Sequence, residues 1–176
     1  MDVDRLVFID ETGLNTKMAR LYGRALKTQR CIDHIPYGHW KSKTFVAALR
    51  HHAITAPMLF DGPMNGDTFL AYIREGLLPT LHPGDIVICD NLPAHKVKGV
   101  TEVIEQSGAT LRYLPPYSPD QNPIEMAFSK LKAFIRQQAA STLEELLLAT
   151  KQALLRFEPY HCTNFFKHAN YATDYS

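Results

Sequence analysis

Residues 85–90, Asp-Ile-Val-Ile-Cys-Asp, constrain the fold more than any other stretch of the chain. Four apolar residues between two acids are too few for a helix and read as a buried strand. Beyond Asp90 the pattern alternates: a helix at about 94–107 closed by Gly108, a strand at 110–114, then helices only. The half of the chain before Asp85 is different. A strand over 5–10 ends in Asp10, Gly13 starts a turn, and apolar stretches at 20–26, 30–36, 44–51 and 54–60 suggest an antiparallel meander. Asp61-Gly-Pro breaks that pattern. Asn65 or Asp67 then caps a helix carrying Phe69, Ile73 and Leu77 on one face, ended by Pro79 and Pro83-Gly84. The order predicts an α/β fold with a mixed central sheet, its early strands antiparallel and its flanking helices in the second half. It is not the doubly wound pattern, in which helices alternate with strands throughout.

The carboxyl-terminal part is helical. Leu114-Pro-Pro-Tyr-Ser-Pro-Asp-Gln-Asn-Pro123 is a stiff proline-rich loop. The helix after it places Ile124, Ala127, Phe128, Leu131 and Ile135 on one face. A Ser141-x-x-Glu144 capping box opens the next, with Leu143, Leu146, Leu147, Leu154 and Phe157 expected inside. Pro159 stops it, and a short aromatic helix over 160–169 ends the chain. With 176 residues, no repeat and no linker, residues 1–176 read as a single domain.

Composition removes several classes. A chain that is 45% hydrophobic and 21% charged is neither disordered nor collagen-like. No apolar run approaches the ~18 residues of a membrane span, and MDVDRL lacks the marks of a secretion signal. Three cysteines without a CxxC pair suit a reduced, cytoplasmic protein. Cys31-x-x-His34, His51-His52 and His161-Cys162 offer no two ligand pairs at finger spacing, which argues against a zinc site. Cys89 lies inside the most apolar strand, where a nucleophile is out of reach. Glycine-rich phosphate loops are absent. Net charge is +1, yet residues 17–50 hold eight cations against one acid. Such a run can contact several phosphates, and a solvated basic face explains it equally.

Asp10 and Asp90 end the two most strand-like runs, where open α/β sheets present their ligands. An acid after a strand also simply starts turns. Two such acids in one small sheet need a cation if both are to stay ionised, and oxygen-only ligands favour Mg²⁺ or Mn²⁺. Glu125 is the third candidate. With Asn122 as N-cap and Pro123 in the first helical position, it also sits where a capping-box glutamate would.

Phe8-Ile-Asp-Glu-Thr-Gly13, Cys89-Asp-Asn-x-x-x-His95 and Leu114-Pro-Pro-Tyr-Ser-Pro-Asp-Gln-Asn-Pro-Ile-Glu125 together resemble the three catalytic blocks of DDE transposases. The similarity is to the insertion-sequence 630 branch of the Tc1/mariner superfamily, and the 34 residues between Asp90 and Glu125 resemble its DD34E spacing. Tyr22-Gly23-Arg24 and Gly62-x-x-Asn65-x-x-x-Phe69 resemble further family segments. The resemblance covers essentially the whole chain and implies an RNase H-like fold. It implies metal-dependent DNA strand cleavage at element ends and transfer of the 3′-hydroxyl into target DNA, at TA dinucleotides in the family. Asp10, Asp90 and Glu125 would be both catalytic and metal-binding, holding two Mg²⁺ (or Mn²⁺), with Asp10 shared between them.

Asn91 and His95 match the family's residues after the second Asp, where a histidine can touch the phosphate or orient a carboxylate. A surface histidine is the plainer reading. Glu125, Ser129, Lys132 and Arg136 share one helix face, which would set two cations along a DNA backbone; a solvated amphipathic helix has the same spacing. Trp40 and Tyr117 are stacking candidates or packing residues. The resemblance implies a helix-turn-helix, DNA-reading domain before the catalytic one in full-length relatives, and that upstream domain is expected to be absent from this chain. The expected partners are therefore transposon-end and target DNA, a second copy in the active complex, and a separate DNA-binding subunit, without a membrane. Two other functions fit the same residues: an inactive or repurposed nucleic-acid-binding relic, and another RNase H-like nuclease.

Overall fold

The structure is a computed structural model that describes residues 2–18, 27, 41–116 and 118–172. The expected strands at 20–26 and 30–36, Tyr22-Gly23-Arg24, Trp40, Tyr117 and most of the basic run lie outside these residues. Among the described residues five strands form one sheet: β1 (Leu6–Asn15), β2 (Ser42–Leu49), β3 (Ile54–Asp61), β4 (Ile86–Cys89) and β5 (Thr110–Tyr113). Their order is β3-β2-β1-β4-β5, antiparallel through the first three and parallel from β1 to β4 to β5. The mixed sheet expected from the sequence is present.

Helices cover both faces of the sheet. On one side lie α1 (Gly66–Tyr72), continued by a wider turn through Ile73–Leu77, and α2 (Val100–Gln106); on the other lie α3 (Pro123–Gln138), α4 (Leu143–Leu154) and α5 (Pro159–His168). The alternation of side chains along each strand builds the two cores. Leu6 and Phe8 of β1 join Phe45, Ala47 and Leu49 of β2 beneath α3 and α5, whereas Val7, Ile9, Val46 and Ala48 meet Phe69, Tyr72 and Ile104. The expected face of α3 is buried at every position named.

Four expectations change. β1 does not end at Asp10 or turn at Gly13. It loses β4 after Phe8 but stays paired with β2 as far as Asn15, so the strand runs on. The helix expected over 94–107 is divided: a 3-10 turn over Pro93–Lys96 is followed by α2, because Gly99 adopts φ 97°, a left-handed conformation that interrupts a right-handed helix. The capping box of α4 is one residue later than expected. Thr142 Oγ1 accepts from Glu145 N–H, and the Glu145 carboxylate accepts from the N–H groups of Ser141 and Thr142. Leu147, expected inside, is 42% exposed.

A buried ion pair fastens the far end of the sheet. Asp85, just before β4, accepts from Arg50 Nη2 at 2.6 Å and from His82 N–H at 2.8 Å, while Arg50 also donates to Thr80 O. Burial pushes the Asp85 carboxyl up, but these donors outweigh it and hold the group below the usual carboxylate range. Its contribution is therefore present above the ordinary Asp value and is lost as pH falls through the lowered folded value. Asp85→Ala leaves Arg50 without its partner and is expected to cost about 3–5 kcal/mol, read as a urea midpoint shift.

Candidate metal centre

The strand register places the first two acids. Phe8 pairs with Ile88 across parallel strands, and Asp10 and Asp90 each come two residues after that pair. Neighbouring strands lie about 4.8 Å apart, so both carboxylates leave the same end of the sheet side by side. Asp10 shares its face of β1 with Leu6 and Phe8, the face on which α3 packs. Glu125 stands in the first turn of that helix.

Asn122 joins strand to helix. Its side chain makes no capping bond to α3; instead its Nδ2 donates to Asp10 Oδ2 at 2.9 Å. The other Asp10 oxygen accepts from Glu11 N–H at 2.7 Å. Glu125 remains exposed, facing a cleft of about 300 Å³ that it lines with Asp10, Glu11, Asp90, Ser129 and Lys132. The capping role that the sequence left open for Asn122 is thus replaced by a bond to the first catalytic candidate.

The electrostatics are those of crowded carboxylates. Asp10 is only 8% exposed. Burial, and then the negative charge of Glu11, Asp90 and Glu125, raise its carboxyl to about 7 despite the Glu11 N–H bond. The three acids nonetheless stand open. Among the described residues the one trio of acid, His or Cys ligand atoms within 4.8 Å of one another is Asp4, His51 and His52, at the other end of β1. Oxygen donors alone, several of them ionisable, suit a hard divalent cation that retains water. The buried carbonyl oxygens Asn91 Oδ1 and Asn122 Oδ1 have no hydrogen-bond partner, and both residues line an adjoining cleft of about 350 Å³ with Asp90 and Glu125. The residues present fit such an ion.

His95 is fully buried, not a surface residue. Its ring stacks on Phe69 with centroids 4.2 Å apart. Its Nε2 lies 3.0 Å from Glu11 Oε2, and its Nδ1 is in close contact with Asp90 Oδ1. Burial alone would lower its pKa, but bonding to Asp90, Cys89 and Glu11 raises it to about 12. Set between two of the cleft's carboxylates, the ring orients both, and they favour its protonated form. Glu11, which faces the opposite side of β1 from Asp10, is the participant that the sequence did not reveal. It sits within the first motif, but its partner lies 84 residues away.

Lys132 lines the same cleft. Burial and the nearby Arg136 lower its pKa, partly offset by Glu125. Arg136 is half-buried one turn further on and does not line the cleft. Asn91 belongs to the adjoining cleft. Burial raises the Cys89 thiol above its ordinary value even with His95 beside it, so it is no nucleophile.

A family model described as DDE superfamily endonuclease matches residues 5–147. No curated protein sequence matches the chain. Among solved structures, the chain is similar to Mos1 transposase in a paired-end complex with the left transposon end: TM-score 0.75, 14% identity, 96% of this chain and 53% of that one. It is similar to the catalytic domain of Mos1 mariner transposase, with TM-score 0.68, 13% identity and coverage of 97% and 79%. A chain of a simian T-cell lymphotropic virus intasome gives TM-score 0.57, 10% identity and coverage of 84% and 47%. These likenesses show a shared RNase H-like fold. This chain spans about half the length of the transposase chain in the paired-end complex. No helix among its described residues is long and apolar enough to cross a membrane.

Proposed function

Because the chain belongs to the DDE superfamily endonucleases, we propose that it is a transposase catalytic domain that cuts DNA at the ends of a mobile element and joins the freed 3′-hydroxyl to target DNA. The observation that carries this is the convergence of Asp10, Asp90 and Glu125 on one cleft from two adjacent strand ends and a helix start. These carboxylates would hold two Mg²⁺ or Mn²⁺ ions. Such ions supply Lewis-acid stabilisation of the attacking and leaving oxygens in an in-line displacement.

The protein's own groups have separate tasks. Asn122, through its bond to Asp10, fixes the start of α3 against β1 and so brings Glu125 to the cleft. His95 holds Asp90 and Glu11 in place and supplies a fixed positive charge behind them. Lys132, with Arg136 beyond it, offers cations to the phosphates flanking the cut, and Asn91 offers an amide beside Asp90. DNA is the proposed partner, with at least two copies in the active complex and the element ends read by a separate DNA-binding unit.

The test is a cleavage assay on end-labelled element-terminus DNA and on an RNA–DNA hybrid, with and without Mn²⁺. Metal-dependent nicking of the DNA, lost in Asp90→Asn, is expected. Cleavage of the hybrid alone would assign the chain to another nuclease class, and metal binding without cleavage of either would mark a relic. Lys132→Ala is expected to weaken binding evenly across sequences and lower the slope of log K against log salt by about 1. An unchanged slope would place Lys132 away from phosphate.

A further inference from the structure

The turn between β2 and β3 carries two histidines at its tip. Arg50 N–H donates to Ala53 O at 2.8 Å and Ala53 N–H to Arg50 O at 3.4 Å, so His51 and His52 form a two-residue hairpin loop. So short a loop fixes where both side chains leave the backbone. Asp4 lies in the 3-10 turn that leads into β1, 47 residues before His51. Its Oδ1 stands 2.9 Å from His51 Nδ1 and 3.5 Å from His52 Nε2. All three ligand atoms lie within 4.8 Å of one another. Ligands bonded tetrahedrally at about 2.0–2.1 Å are roughly 3.3 Å apart, so only small side-chain movements separate this trio from coordination.

One ligand is held in advance. The His51 ring packs 5.5 Å from the Phe166 ring, and Thr163 Oγ1 donates to the His51 carbonyl at 3.2 Å. Its Nε2 is buried without a partner, so Nδ1 is the nitrogen that meets Asp4. The His52 and Asp4 side chains are 62% and 64% exposed, leaving the open side to water.

We propose that Asp4, His51 and His52 bind a late first-row divalent cation of the zinc class, with water completing its coordination. Two imidazoles and one carboxylate prefer Zn²⁺, Co²⁺ or Ni²⁺ to Mg²⁺, the reverse of the oxygen-only cleft. The two sites are distinct, since Asp10 lies six residues further along the chain, roughly 15–20 Å at strand rise. An ion here joins the turn before β1 to the β2–β3 hairpin and stabilises the sheet. Finger spacing in the sequence does not reveal this trio, because its third ligand comes from another part of the chain.

The test is Zn²⁺ titration of the full chain carrying Asp10→Asn, Asp90→Asn and Glu125→Gln, in Mg²⁺-free buffer, followed by calorimetry and thermal melting. One equivalent is expected to bind, raising Tm by roughly 5–10 °C at a concentration 100 times Kd. Adding His52→Ala, an exposed change, should weaken binding at least about tenfold and remove the Tm rise. In the otherwise unmodified chain, His52→Ala or Asp4→Asn should each lower the number of Zn²⁺ ions bound by one. Equal Zn²⁺ affinity and stoichiometry with and without His52 would overturn the proposal.

Discussion

Asp10→Asn is expected to abolish metal-dependent DNA cleavage and, in the metal-free protein, to raise the melting temperature. Asp10 is buried among acids, and its carboxyl is raised from 3.8 to about 7. Linkage gives the sign. Below pH 3.8 the group is protonated whether the chain is folded or not. Between about 4 and 7 the unfolded chain ionises it while the fold retains the proton, so stability falls as pH rises. Above about 7 the full penalty applies, of the order of a few kcal/mol. Asparagine removes that charge and can keep both hydrogen bonds. Its Oδ1 still accepts from Glu11 N–H, and its amide can donate to Asn122 Oδ1, now without a partner, once the Asn122 amide turns over. Melting at pH 8 should show a gain of about 5–10 °C for the variant. Mg²⁺ should raise the wild-type Tm and leave the variant's nearly unchanged. Cleavage should fall on the order of 10³-fold or more, the scale of losing a group that stabilises transition-state charge. A residue placed for structure alone would lower stability when altered, which is the opposite sign.

His95→Ala acts in the other direction. It removes a buried cation from between Glu11 and Asp90 and leaves a void against Phe69. Breaking a buried charge pair by removing one partner costs about 3–5 kcal/mol, so Tm should drop by roughly 10 °C. The His95 pKa is raised from 6.5 to about 12, so its contribution is whole below 6.5, declines steadily as pH rises above 6.5 and is lost once pH passes the folded value. Urea melts of the wild type should therefore show this group's contribution falling by up to about 1.4 kcal/mol per pH unit above 6.5, and the variant should lack that slope and be weaker at neutral pH. Divalent cations should recover part of the lost stability, because they return positive charge to the same carboxylates. A Tm within about 1 °C of wild type would mean that His95 carries no such charge.

Much of this arrangement was legible in the sequence, for local reasons. Leu-Val-Phe-Ile and Ile-Val-Ile-Cys each lead to an acid, and the pairing of Phe8 with Ile88 makes those acids neighbours. The apolar stripe of α3 fixes which way Glu125 faces. The features that escaped depend on distant partners. β1 outruns Asp10 because β2 goes on pairing after β4 has ended, which no local pattern in β1 announces. Glu11 looks like a turn residue until His95 arrives from 84 residues away. Asn122 looks like a cap until Asp10 competes for its amide. Thr142 and Ser141 are equivalent capping candidates by type, and in the fold Thr142 takes the bond from Glu145 N–H.

Crystals grown with Mn²⁺, with diffraction recorded at the manganese edge, address the central claim most directly. Anomalous peaks within about 2.0–2.6 Å of carboxylate oxygens from Asp10, Asp90 and Glu125 are the expected result. A cleft without manganese at a saturating concentration, or an ion held while the Glu125 carboxylate stays turned away, would contradict the account.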